Sequence, residues 1–217
     1  MADYTRRRIM MVDTQVRPSD VTEFPIIDAM LDVPRELFVP QALREAAYSG
    51  EHLPLDSRRV ILDPRTLAKL CDALDVTPED LVLDIGPGMG YSSAILARLS
   101  QAVVAVEPVP AYVTEAQAAL AEAGIDNAAI NEGALNEGAP EYAPFDVIVI
   151  QGGIEVLPDT IVDQLAENGR ICCIFMEREL GTARIGRKVD GRIHWRYAFN
   201  ASAPVLPGYE RTREFTL

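Results

Sequence analysis

The chain has 217 residues, of which 48% are hydrophobic, and a formal net charge of −13 at pH 7. This length and apolar share suit one large domain of layered helices and sheet, not a small disulfide-stapled fold. Proteins that bind nucleic acid or anionic membranes usually carry a basic surface, so the acidic balance argues against both as partners.

The cysteine and histidine content is low: three cysteines, Cys71, Cys172 and Cys173, and two histidines. An odd number of cysteines argues against a disulfide framework and for a reducing compartment. Cys172 and Cys173 are neighbours in an apolar run, and adjacent strand residues point to opposite faces, so they do not readily share a metal. The chain shows neither a signal-peptide pattern nor an apolar run long enough for a membrane-spanning helix. We therefore expect a cytoplasmic protein with no metal site and no membrane partner.

The first 75 residues contain helix-like segments that are interrupted by prolines. Three helices are predicted there: one starts near Asp3, one covers 24–31, and one runs from Pro64 to about Leu74. The proline-bounded stretch 33–40 predicts a turn or a short helical piece. We expect residues 1–75 to form a helical segment packed on a core domain of residues 76–217, the two making a single compact unit.

From about residue 76 the chain alternates short apolar runs with helical stretches. Strands are predicted at 81–85, 102–106, 128–131, 145–150, 170–175 and 192–199. Helices are predicted at 91–99, 110–123 and 159–166. Strands that alternate with helices of about ten residues predict a parallel sheet with helices on both faces. The expected fold is therefore α/β, with an open, mostly parallel, Rossmann-like sheet and an N-terminal helical extension.

A glycine-rich turn, Asp84-Ile85-Gly86-Pro87-Gly88-Met89-Gly90, follows the first strand and opens a helix. Glycines in such a turn let the backbone approach a ligand closely. A nicotinamide-dinucleotide fingerprint has its third small residue one position later, where this chain has Tyr91. The G-x-G-x-G spacing with a preceding acidic residue is the variant that S-adenosylmethionine (SAM)-dependent methyltransferases use. The predicted SAM-binding residues of this turn are Asp84, Gly86, Gly88 and Gly90.

Polar residues also follow the next three strands. Glu107, followed by Pro108, ends the second strand, where a carboxylate can accept hydrogen bonds from both hydroxyls of a ribose. Glu132 and Gly133 follow the third strand, where Glu132 can accept from an adenine amino group. Gln151 follows the fourth strand, next to the expected place of the methyl group. Since ligands of open α/β sheets bind at the carboxyl ends of the strands, we expect all five to line one SAM site.

Over roughly residues 6–175 the chain resembles protein-L-isoaspartate O-methyltransferases. The stretch 33–40, Val-Pro-Arg-Glu-Leu-Phe-Val-Pro, looks like the signature of that family, and 82–97 looks like its nucleotide turn and helix. Shorter matches lie at 47–48, 53–55, 143–146 and 164–170. The resemblance implies a seven-stranded methyltransferase sheet and SAM as cofactor, with S-adenosylhomocysteine as product. It also implies methyl transfer to the isoaspartyl carboxylates of damaged proteins or peptides.

The substrate half departs from the family's pattern. The family has a glycine-containing loop that ends in Gln-Thr-Ile-Ser-x-Pro, whereas this chain has Asp-Ser-Arg-Arg-Val-Ile-Leu-Asp-Pro at 56–64. Leu62 stands where the family has a hydroxyl residue, and it cannot donate a hydrogen bond to a substrate carboxylate. Arg58 and Arg59 can offset the charge of Asp63 by pairing with it or with the substrate. The family's Thr-Ala-Ala after the fourth strand is Gln-Gly-Gly here, at 151–153.

Three functions remain open at this point, and no catalytic residue is assigned. The first is a SAM-dependent carboxyl methyltransferase for isoaspartyl peptides, which needs no general base because a carboxylate is already ionised at neutral pH. The second is a methyltransferase with another acceptor, in which Asp63 acts as a base if it faces the pocket. Otherwise Asp63 is a helix cap before Pro64. The third is a SAM-binding paralogue that no longer catalyses.

Overall fold

The computed structural model describes residues 3–211. Two strands, β1 (Leu53–Pro54) and β2 (Val60–Ile61), form a small hairpin in the N-terminal part. The main sheet has seven strands: β3 (Leu81–Ile85), β4 (Ala102–Glu107), β5 (Ala128–Glu132), β6 (Phe145–Ile154), β7 (Leu165–Glu177), β8 (Leu180–Val189) and β9 (Arg192–Asn200). Their order across the sheet is β5-β4-β3-β6-β7-β8-β9. Strands β3 to β7 are parallel, and β8 and β9 add antiparallel pairs at one edge, which confirms the expected fold class.

Six α-helices accompany the strands in the part of the chain that the structure describes. They are α1 (Tyr4–Met11), α2 (Phe24–Asp32), α3 (Pro64–Leu74), α4 (Tyr91–Leu99), α5 (Pro110–Glu122) and α6 (Asp159–Gln164). The signature stretch 33–40 contains a short 3₁₀ turn at Arg35–Leu37. Within residues 3–211, no helix is both long and apolar enough to cross a membrane.

Both faces of the sheet are buried, and alternating strand residues supply the two cores. On β3, Val82 belongs to one apolar cluster and Leu83 to the other. The Val82 cluster also contains Met30 and Leu67 from the N-terminal helices, together with Ile95 of α4. The N-terminal helices are therefore part of the same core as α4 and one face of the sheet.

Predicted boundaries are wrong at both ends of the sheet. The fourth strand was expected to end at residue 150, but β6 continues through 151–153 to Ile154. Their backbone finds a partner in the chain that follows β9, since Gly153 N donates to Pro204 O at 2.8 Å and Leu206 N donates to Gly153 O at 2.9 Å. Helix α6 was expected to reach 166 but ends at Gln164, because Leu165 already pairs with Phe145 in the sheet.

Candidate functional site

The glycine turn lies between β3 and α4, at the carboxyl end of the strand. All three glycines have positive φ, with 77° at Gly86, 60° at Gly88 and 91° at Gly90. The turn is held by its backbone: Gly86 N donates to Val106 O at 2.9 Å. A Cβ at Gly90 would lie 3.0 Å from the Cβ of Ala116, so this glycine lets α4 approach α5. Gly88 faces the β1–β2 hairpin, since a Cβ there would lie 2.5 Å from Leu55 Cδ1.

Asp84 braces the start of the turn from inside the protein. Its buried carboxylate accepts hydrogen bonds from Ser92 Oγ at 2.6 Å, Ser93 Oγ at 2.7 Å and Gln151 Nε2 at 2.8 Å. Burial raises the pKa of Asp84 to about 6, and the three donors act against that rise. The structure thus brings Asp84 and Gln151 together, and it uses the Asp84 carboxylate to connect β3, α4 and β6.

Glu107 ends β4 next to the turn, and its carboxylate is saturated with donors. Gly88 N donates to Oε2 at 2.9 Å, and Val109 N donates to Oε1 at 3.1 Å. Arg59 supplies two more bonds, from Nη1 to Oε1 at 2.5 Å and from Nη2 to Oε2 at 2.6 Å. A carboxylate has about four acceptor positions, so none remains for another donor. Glu107 is fully buried, and Arg59 is 4% exposed.

The remaining predicted residues lie at the same edge of the sheet. Glu132 pairs with Glu107 in the β4–β5 register. Its side chain is exposed and makes no hydrogen bond with residues 3–211. Gly133 N donates to Glu107 O at 3.2 Å, and Pro108 is exposed directly after Glu107. The four residues therefore form one continuous edge beside the glycine turn.

Arg59 was not expected at this edge. The sequence suggested that it pairs with Asp63 or with the substrate, whereas it forms a buried ion pair with Glu107. Its Nη2 also donates to Gly86 O at 3.2 Å. The two charges are 48 residues apart in the chain, so no local pattern connects them.

Arg35 anchors the end of the altered loop at 56–64. The side chain is completely buried, its Nη2 donates to Leu62 O at 2.9 Å, and its Nε donates to Ala47 O at 2.7 Å. The guanidinium carbon lies 4.4 Å from the ring centre of Tyr91. Burial lowers the pKa of Arg35 from its ordinary value. The arginine of the signature stretch thus fixes the backbone at Leu62.

Asp63 is the N-cap of α3 and does not reach the glycine turn. Its carboxylate accepts from Thr66 N at 2.9 Å and from Thr66 Oγ1 at 2.6 Å. It lines a separate surface hollow together with Thr14 and Arg65. His52 Nδ1 accepts the N–H of Asp63 at 2.9 Å, and Nε2 contacts Ser202 O at 2.8 Å, which fits a neutral imidazole that donates from Nε2. Asp63 is therefore a structural cap, which argues against its use as a base.

On the side of the turn that faces Leu62, little room is left for a ligand. The cavity there measures about 10 Å³, with Leu62, Gly86, Tyr91 and Gln151 among its lining residues. That is about the space of one water at most, whereas small-molecule sites measure roughly 300–1,000 Å³. The backbone turn and the Glu107 carboxylate suit SAM, but Arg59 occupies the acceptors that a ribose needs. SAM therefore does not fit this conformation of the site.

Comparison with known proteins identifies the family. A sequence profile described as protein-L-isoaspartate(D-aspartate) O-methyltransferase (PCMT) matches residues 8–201. Protein-L-isoaspartate O-methyltransferase 1 of Pelobacter propionicus is 35% identical over 196 residues, which covers 88% of this chain and 91% of that protein. The protein-L-isoaspartate O-methyltransferase of Gloeobacter violaceus is 38% identical over 161 residues, covering 74% and 78%.

Solved structures agree with this assignment. A protein-L-isoaspartate O-methyltransferase structure superposes with a TM-score of 0.80 at 25% identity, covering 93% of this chain and 66% of that chain. A Plasmodium falciparum structure, named as a candidate protein-L-isoaspartate O-methyltransferase in complex with S-adenosyl-L-homocysteine, gives a TM-score of 0.77 at 21% identity. It covers 95% of this chain and 99% of that chain, and at this identity the likeness speaks for the fold alone. On the profile match and the relatives together, the chain belongs to the protein-L-isoaspartate O-methyltransferase family.

Proposed function

We propose that this protein is a SAM-dependent carboxyl methyltransferase that methylates isoaspartyl residues in proteins or peptides. The observation that carries the proposal is the family match over residues 8–201, which includes the whole glycine turn and the end of β4. The relatives that it matches over most of their length are named for this activity. The comparisons favour this function over a changed acceptor or a paralogue without catalysis.

We assign the cofactor site to the carboxyl edge of β3 to β6. The proposed residues are Asp84, Gly86, Gly88, Gly90, Glu107, Pro108, Glu132, Gly133 and Gln151. SAM, when bound, supplies a methyl group on a sulfonium and becomes S-adenosylhomocysteine. The N–H groups of Gly88 and Val109 hold the Glu107 carboxylate in place, so it is oriented for two further donors once Arg59 is elsewhere. Exposed Glu132, next to Glu107 in the β4–β5 register, would accept a hydrogen bond from an adenine amino group.

The proposed reaction requires no proton transfer by the protein. A substrate carboxylate has an ordinary pKa near 4 and is already ionised at neutral pH, so no general base is required. The chain's contribution is to orient the substrate and to exclude water. Consistent with this, Asp63 is committed to capping α3 and His52 to bridging Asp63 and Ser202.

We propose the remaining features of the protein on more general grounds. The acidic net charge of −13 disfavours nucleic acid and anionic membranes as partners. The lack of paired cysteines among the described residues supports a reducing, cytoplasmic location. The shared core of the N-terminal helices and α4 supports residues 1–75 as a helical segment packed on a domain of residues 76–217.

A methyl-transfer assay with matched peptides tests the proposed function. The protein is incubated with methyl-labelled SAM and a peptide that carries either isoaspartate or ordinary aspartate at one position. We expect base-labile methyl ester on the isoaspartyl peptide and none above background on the aspartyl peptide. Equal labelling of the two peptides would mean a different acceptor. No labelling, under conditions in which a relative from the same family is active, would reject the activity.

A further inference from the structure

The residues that face the glycine turn belong to the tip of the β1–β2 hairpin. Residues 55–61, referred to as the 55–61 segment, connect Pro54 to the end of β2. The tip is a tight turn, since the N–H groups of Leu55 and Asp56 both donate to Arg59 O, at 3.0 and 3.3 Å. Asp56, Ser57 and Arg58 are exposed, whereas the Arg59 side chain points inward.

Arg59 and Leu55 fill two separate parts of the cofactor site. The Arg59 guanidinium supplies two N–H donors to Glu107, as many as the two hydroxyls of a ribose would supply. Leu55 lies over the turn, with its Cδ1 2.5 Å from the position that a Cβ on Gly88 would occupy. The face that Gly88 leaves open for a ligand is therefore covered by a side chain of this chain.

The ends of the 55–61 segment are anchored, while its middle is held by a few side-chain contacts. Arg35 fixes Leu62 on one side, and His52 is held by Asp63 N and Ser202 O on the other. Between these anchors, the contacts to the rest of the protein include the Arg59 pair and the hydrogen bond from Tyr112 Oη to Leu55 O at 2.9 Å. Residues 55–59 can therefore leave the site while Val60 and Ile61 keep their pairing with β1.

We infer that the 55–61 segment is a built-in competitor of SAM: it closes the cofactor site, and SAM binds only when Arg59 leaves Glu107 and Leu55 leaves Gly88. This inference rests on the proposed function, because it takes the glycine turn and Glu107 to be the SAM site. Arg59 is thus a residue that sets cofactor affinity by competition. Part of the interaction energy of SAM with the site is spent on breaking a buried, bidentate ion pair.

Calorimetric titration of S-adenosylhomocysteine into matched variants tests the competition. Arg59→Gln removes the two guanidinium donors that occupy Glu107. Arg58→Gln makes the same charge change on a neighbouring exposed side chain, which pairs with Glu210 at 3.3 Å. We expect Arg59→Gln to bind at least tenfold more tightly than the unmodified protein, and Arg58→Gln to bind as the unmodified protein does. Affinity that is unchanged or weaker in Arg59→Gln would overturn the inference. Absence of binding in all three folded proteins would instead reject the SAM site, and the proposed function with it.

Discussion

The glycine turn and the 55–61 segment face each other across one edge of the sheet but are held by different means. The turn is positioned by backbone bonds, by three positive φ angles and by the buried carboxylate of Asp84 beneath it. The segment is positioned mainly by side chains, with Arg59 on Glu107 and Leu55 on Gly88. The cofactor half of the site is thus built into the fold, whereas the other half depends on interactions that a ligand can replace. Substitutions on the two sides should therefore have separable effects on stability.

Removing Arg35 should cost the most stability, because it supports the boundary between the two regions. Arg35→Ala leaves the carbonyl oxygens of Ala47 and Leu62 without these donors and opens a cavity beneath Tyr91. We expect a loss of about 4 kcal/mol in the free energy of unfolding, measured by urea titration. Arg35→Met fills the volume without the donors and should recover about half of that loss.

The matched control for Arg35 is Arg44→Ala, on an exposed side chain of the same N-terminal region, which should change stability by less than about 0.5 kcal/mol. The Nη1 atom of Arg35 has no hydrogen-bond partner among the described residues, so this buried guanidinium is not ideally satisfied. A neutral or stabilising Arg35→Ala would mean that desolvation of the charge outweighs its two hydrogen bonds and its packing.

Glu107→Gln should be the next most damaging change. Glu107 was expected to accept hydrogen bonds from a ribose, but the structure buries it completely against Arg59. The variant leaves a buried guanidinium without its counter-ion, at an expected cost of about 3–4 kcal/mol. The double variant Arg59→Gln/Glu107→Gln should be more stable than Glu107→Gln alone by about 2 kcal/mol. Additive losses in this double-mutant cycle would mean that the pair contributes nothing as a pair.

The sequence predicted the region that local patterns encode. The bounds of α3 follow from Pro64 in its first turn and the left-handed Asp75 after its end, and β3 was predicted at the bounds that the structure has. The glycine spacing and the acidic residue at the end of β4 identified the cofactor edge. These signals are local, because each depends on residues within one strand, turn or helix.

The sequence did not predict what fills the site. Arg59 and Glu107 meet across 48 residues, and an arginine in a charged loop looks the same whether it is solvated or buried. The extension of β6 through Gly153 was missed for a similar reason, since its partner, Pro204, is 51 positions away in sequence. A buried carboxylate such as Glu107 needs a counter-ion. The local sequence indicated this pairing only through the presence of two arginines, Arg58 and Arg59, in the altered loop.

Asp84→Asn tests how the buried carboxylate beneath the turn makes the stability of the protein depend on pH. The pKa of Asp84 is raised from an ordinary value of 3.8 to about 6, chiefly by burial, so the folded state holds a proton that the unfolded chain releases. Its contribution to stability is therefore complete below about pH 4 and is lost as the pH rises to about 6 and above.

Asn cannot ionise, so Asp84→Asn should remove this downward slope. At pH 8 the variant should be more stable than the unmodified protein by about 2 kcal/mol, because the cost of a buried charge is gone. The amide can still accept from Gln151 and donate to the two serine hydroxyls. Thermal unfolding between pH 4 and pH 8 measures the slope, and Asp126→Asn, at an exposed site, should keep it. A lower stability of Asp84→Asn at pH 8 would show that the three hydrogen bonds need the charged carboxylate.

Gly88→Ala has the smallest expected effect, and comparison with Gly124→Ala separates two causes of destabilisation: backbone strain and the contact with Leu55. Gly88→Ala and Gly124→Ala each place a side chain at a positive φ, 60° and 66°. Both should therefore lower the free energy of unfolding by a similar amount, about 1–2 kcal/mol. A Cβ at Gly124 meets no atom within 4 Å, whereas at Gly88 it meets Leu55 at 2.5 Å. We therefore expect Gly88→Ala to lose about 1 kcal/mol more than Gly124→Ala in urea unfolding. In a Leu55→Ala background, the excess should disappear, because the atom that is in the way is gone. An excess that persists there would place its cause in the turn itself, and the contact of Leu55 with Gly88 would then couple the two regions less than its distance indicates.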